Sequence, residues 1–67
     1  MNNIEIKDFI KLDSLLKLAG IADTGGIAKL MIQDGEVSVN GEKCTQRGKK
    51  IRAGDVIEVF DEKIQII

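Results

Sequence analysis

Lys43, Arg47, Lys49, Lys50 and Arg52 fall within ten residues that contain no acid. Five fixed cations this close together can neutralise several phosphates at once. Arg47 is the best single candidate, because its planar fork can hold one phosphate at two points or stack on a base. The remainder of the chain has the opposite sign: residues 1–42 carry four lysines against seven acids, and residues 53–67 carry one lysine against four. The net charge of −1 conceals this contrast. A charge run is usually a solvated loop. An acid-free run inside an otherwise acidic chain argues instead for a local anion-binding patch.

A second candidate is Thr24-Gly25-Gly26. A helix starting here would present unpaired backbone N–H groups, and the two glycines would let a phosphate approach them closely. The plainer reading is a tight turn or close helix contact. Lys29 follows one turn later, on the face expected to lie opposite Ile27 and Leu30. Lys11, Ser14 and Lys17 form a similar exposed row on the preceding helix, and Lys11 joins the candidate set.

Other chemistry finds little support. There is no histidine to act as a base, and Cys44 is the one cysteine. Neither nucleophilic catalysis nor a metal site is expected from that inventory. No cofactor is expected, and the carboxylates show no pairing that suggests acid–base work. Phe9 and Phe60 are the only aromatics, too few for the stacking platforms that read splayed bases. Shape and phosphates are therefore the expected targets.

The elements that must carry these residues follow from periodicity. Ile4-Glu5-Ile6 alternates as a short strand. Leu12, Leu15, Leu16 and Ala19 mark the apolar stripe of a first helix, with Asp13 in its first turn and Gly20 at its end. Asp23 or Thr24 can cap a second helix. Its buried stripe is expected at Ile27, Leu30 and Met31, with Ala28 and Ile32 at the margin, and Gly35 as its stop. From Glu36 the period becomes two. Asn40-Gly41 signals a type I′ hairpin, and Ala53-Gly54-Asp55 a second turn. Ile57 and Val59, then Ile64 and Ile66, give two more strands, with a turn at Asp61-Glu62. The expectation is an α+β fold: two packed helices, then a small antiparallel sheet, with a short N-terminal strand.

A chain of 67 residues is one domain, here 1–67, with a thin core. No apolar run is long enough to span a bilayer, and residues 1–5 do not resemble a signal peptide. A lone cysteine suits the cytoplasm better than a secreted setting.

In register, Leu12-Asp13-x-x-Leu16, Ala28-Lys29-x-x-Ile32-x-x-Gly35-x-Val37-x-Val39-Asn40-Gly41 and Gly54-Asp55-x-Ile57 resemble the S4 RNA-binding domain, over residues 10–59. Thr24-Gly25-Gly26-x-Ala28-Lys29 and Arg47-Gly48-Lys49-Lys50 are similar to the small stand-alone bacterial S4 proteins of the YaaA/YbcJ type. The resemblance implies the αL-motif fold and a non-catalytic, monomeric protein. It further implies binding of structured RNA, with ribosomal RNA or ribosomal particles as the expected partner during ribosome association or assembly. Larger relatives often carry Ser-Arg where this chain has Thr24-Gly25, so that arginine contact does not transfer. Phosphate binding must then fall to the backbone amides, Lys29 or the basic segment.

Two other readings compete. Ubiquitin-like sulfur carriers share Asn-Gly-Glu and Gly-Asp signals, but their chemistry needs a terminal Gly-Gly and this sequence ends Ile66-Ile67. A protein-interaction module could dock an acidic partner through residues 43–52, and would be told apart by nuclease-treated pull-downs.

Overall fold

The computed structural model describes residues 2–67. The domain expected over residues 1–67 thus includes Met1, which lies outside the described residues. The elements are β1 (Asn2–Ile4), β2 (Ile10–Lys11), α1 (Leu12–Leu18), α2 (Gly25–Gln33), β3 (Val37–Val39), β4 (Glu42–Lys43), β5 (Lys50–Ile51), β6 (Val56–Val59) and β7 (Glu62–Ile66). One sheet has the order β1-β7-β6-β3-β4, and β2 pairs with β5 in a separate ribbon.

Alternation decides which strand residues enter the core. Val37 and Val39, Ile57 and Val59, and Ile64 and Ile66 are buried, while their neighbours Ser38, Glu58 and Gln65 are not. These strands pair antiparallel, as expected. The N-terminal strand differs. It covers Asn2–Ile4 rather than Ile4–Ile6 and runs parallel to β7, so the sheet is mixed. Three alternating residues fix neither the bounds nor the direction of a strand. Ile6 still donates its N–H to the Ile67 carbonyl at 3.2 Å.

The first helix buries Leu12, Leu15 and Leu16 at the expected spacing. In the second, the expected face is wrong. Ala28 and Ile32 are buried, Met31 is half-buried, and Ile27 and Leu30 are exposed by 43% and 59%. Apolar residues fill positions 27, 28 and 30–32, an arc too wide to fix the phase of a helix. Packing into the core selects Ala28 together with Ile32 four residues later. The helix ends where expected. Gly35 has φ +80° and donates to the Ile32 carbonyl, and Glu36 donates to that of Met31. Asn40 and Gly41 both have positive φ, +53° and +86°, as a type I′ turn requires.

Candidate nucleic-acid interface

The basic segment is not a free loop. It begins in β4, crosses residues 44–49, passes through β5, where Ile51 is completely buried, and ends at Arg52. Its backbone also caps the first helix: Leu12 donates to the Lys49 carbonyl at 2.9 Å and Asp13 to the Arg47 carbonyl at 3.1 Å. Two helix-start N–H groups that would otherwise need water are thereby satisfied. The segment thus contributes structure through its main chain and through the buried Ile51. Lys43, Arg47, Lys49, Lys50 and Arg52 all have exposed side chains on this anchored backbone.

The ribbon adds a sixth cation. Lys11 pairs directly with Lys50, while Ile10 pairs with Ile51 on the other face. Lys11 is therefore a strand residue with extended backbone preceding α1, not part of an exposed helical row. Like charges directly opposite each other in a ribbon oppose folding. An anion bound between them would reverse that repulsion. The Lys50 ammonium lies 4.8 Å from the centroid of the Phe9 ring, which is itself 43% exposed. Phe9 was missed as a site residue because a single aromatic in sequence carries no pattern. Its place two residues before Lys11 was the available signal.

Lys43 has a further, structural contact. A Cβ placed on Gly35 would lie 3.1 Å from its Cδ, so the lysine side chain covers the C-terminal end of α2. A cation there complements the negative end of the helix dipole. Arg52 and Lys49 lie in the field of Asp55. Its carboxyl is held below the usual range, first by the Arg52 backbone N–H and then by the Asn40 side chain. Burial opposes the effect, and the charges of Lys49 and Arg52 add to it.

Thr24 caps the second helix, its Oγ1 accepting from the Ile27 N–H at 3.1 Å. Gly25 and Gly26 are therefore the first two helical residues, with no acid in that turn. Neither has positive φ. A Cβ at Gly25 would meet nothing within 4 Å, and one at Gly26 only the Thr24 hydroxyl at 3.8 Å. Packing does not require these glycines. Lys29 is half-buried beside the packed face, not on a fully exposed one, because the face opposite Ile27 and Leu30 is the one that carries buried Ala28 and Ile32. Thr24–Gly26 and Lys43 stand at opposite ends of a helix about 13 Å long at 1.5 Å per residue. The structure thus joins Lys11, Arg47, Lys49 and Lys50 around the start of α1, while Thr24, Gly25, Gly26 and Lys29 belong to α2.

Among the described residues, no group of three or more His, Cys, Asp or Glu side chains is placed to hold a metal ion. No helix among them is long and apolar enough to cross a membrane.

Comparison with known proteins agrees with this architecture. The S4 domain family model matches residues 3–67. The chain belongs to the S4 domain family. This S4 domain is 42% identical over 52 residues to the probable ribosome maturation protein RlbA of Bacillus subtilis, covering 78% of the chain and 73% of RlbA. It is also similar to the solution structure of Escherichia coli YbcJ, described as having an αL motif involved in RNA binding. There the TM-score is 0.75 at 30% identity, over 100% of this chain and 87% of YbcJ. The trimeric structure of Vibrio cholerae heat shock protein 15 superposes with a TM-score of 0.72 at 25% identity. That match takes in 82% of this S4 domain but only 55% of the larger protein. Small stand-alone S4 proteins are thus among its relatives, as the Gly25-Gly26 and Arg47–Lys50 motifs implied.

Proposed function

We propose that this S4 domain is a non-catalytic, cytoplasmic and monomeric RNA-binding protein that recognises structured RNA. Ribosomal RNA in maturing particles is the proposed target. One observation carries this reading most: five exposed cations stand on a backbone pinned to α1, with Lys11 facing Lys50 across a two-stranded ribbon. Such a surface meets phosphates at fixed spacing without first having to order a loop. The amides of half-buried Gly25 and exposed Gly26 would supply a second phosphate contact at the start of α2. The names of the relatives support the same direction, since one is called a ribosome maturation protein and another carries an RNA-binding motif. Crosslinking in living cells, followed by sequencing of the attached RNA, tests the target. Reads concentrated in ribosomal RNA support it. A protein partner that persists after nuclease treatment, without RNA reads, would favour an acidic-partner module docked on residues 43–52.

A further inference from the structure

Between the β3–β4 hairpin and the basic segment lies a groove of about 250 Å3. Almost fully buried Val39 and half-buried Cys44 bring apolar surface to it. Glu42, Thr45 and Gln46 bring hydrogen-bonding groups, and Lys43 and Lys49 bring positive charge. We propose that this groove receives one unpaired nucleotide projecting from the bound RNA, an inference that rests on the RNA reading above.

The size suits that ligand. Pockets for drug-sized molecules and cofactors generally run from about 300 to 1,000 Å3, so this one has room for little more than a base. Its chemistry suits it too. Glu42 offers acceptors only, whereas Thr45 and Gln46 can both donate and accept. The edge of a base needs this mixture. A bare phosphate does not, and the Glu42 carboxylate would repel it. Lys43 and Lys49 can instead hold the phosphates on either side of the inserted base. The walls are fixed in advance. Cys44 donates its N–H to the Val37 carbonyl at 2.9 Å, Lys49 donates to that of Gln46 at 3.2 Å, and the Lys49 carbonyl is bound to α1. The major groove of duplex RNA is too deep and narrow for side chains to read, and proteins that read RNA sequence take bases from loops, bulges and ends. The groove therefore adds to a phosphate-binding surface the means to prefer RNA with a bulge.

The test compares two RNA hairpins, one fully paired and one with a single-nucleotide bulge, by fluorescence anisotropy at fixed salt. The bulged hairpin is expected to bind roughly fivefold tighter, as one net hydrogen bond to the base would give. Carboxamidomethylation of Cys44 with iodoacetamide fills the groove and should remove this preference while leaving paired-hairpin binding within about twofold. Gln46→Ala, at an exposed position, should reduce the preference without any risk to the core. Bulged RNA should also slow the alkylation of Cys44 more than paired RNA does. Equal binding of both hairpins, or a preference that survives both changes, overturns the proposal. If the unmodified protein binds neither hairpin, the RNA reading itself fails, and the paired arm separates that result from failure of the groove alone.

Discussion

The amide of Asn40 and the carboxylate of Asp55 are hydrogen-bonded across fifteen residues of sequence, Nδ2 donating to Oδ1 at 3.0 Å. Asn40 Oδ1 accepts from the Val56 N–H at 2.8 Å, and Asp55 Oδ2 accepts from the Arg52 N–H at 2.9 Å. The two side chains clamp the β3–β4 turn to the turn before β6. Val-Asn-Gly and Gly-Asp-x-Ile, prominent in the S4 resemblance, are therefore parts of one structural joint at the end of the basic segment. Asp55→Ala should lower stability by about 1–2 kcal/mol, measured by urea unfolding, through loss of these bonds. RNA affinity per folded molecule should not fall.

The same joint sets a pH dependence. The folded-state pKa of Asp55 lies below its usual value, so the unfolded chain takes up the proton first as pH falls. The stabilisation is complete above the ordinary aspartate value of about 3.9 and is lost as pH falls through the depressed folded value. Asp55→Asn should melt below the wild type at neutral pH, and the gap should close on acidification below about pH 4. A gap constant from pH 7 to pH 2.5 would contradict this assignment.

Much of the fold was legible because turns have chemical signatures. Asn40-Gly41, Gly35 and Thr24 each announce a local geometry, and each occupies it. The phase of α2 was not legible, because five of its nine residues are apolar and only packing into the core chooses among them. The cations of the candidate site could be read from charge alone. Their anchoring could not. Bonds from Leu12 and Asp13 to Lys49 and Arg47 join segments more than thirty residues apart and use carbonyls that every residue possesses. The groove beside Cys44 was hidden for the same reason.

The glycines at the start of α2 allow stability and binding to be separated. Gly25→Ala adds a methyl in open space at a helical position, so it should stabilise the fold by about 0.4–1 kcal/mol. Gly26→Asp should also remain folded, since an acid is well tolerated in a helix first turn. Both should weaken RNA binding, the aspartate more. Calorimetric melting together with filter binding reads the split. Weaker folding with unchanged affinity per folded molecule would return these glycines to a structural role.

Cys44 is a free, half-buried thiol at the edge of the basic segment. Its Sγ faces the Gln46 carbonyl at 3.7 Å, a contact that a serine hydroxyl can replace. Cys44→Ser should keep affinity for RNA within about threefold. A much larger loss in a titration under reducing conditions would point to thiol chemistry.

Affinity should fall steeply with salt. If Lys43, Arg47, Lys49, Lys50 and Arg52 each meet one phosphate, the slope of log affinity against log salt should be roughly −3.5 to −4.5. A flat dependence between low and high salt would remove the electrostatic account.

The most direct measurement reverses the charge of the basic segment. Arg47, Lys49 and Lys50 have exposed side chains, and only the main chain at Arg47 and Lys49 caps α1, so replacing all three by Glu should leave the fold intact by circular dichroism. In filter binding, the affinity of this variant for structured RNA should drop by orders of magnitude, because each change removes a contact and adds repulsion. Co-sedimentation with ribosomal particles should be lost with it, while Glu58, Asp61 and Glu62 changed together to Gln should bind at least as well as the wild type. A folded triple-Glu variant that binds RNA with unchanged affinity would contradict the assignment of this surface.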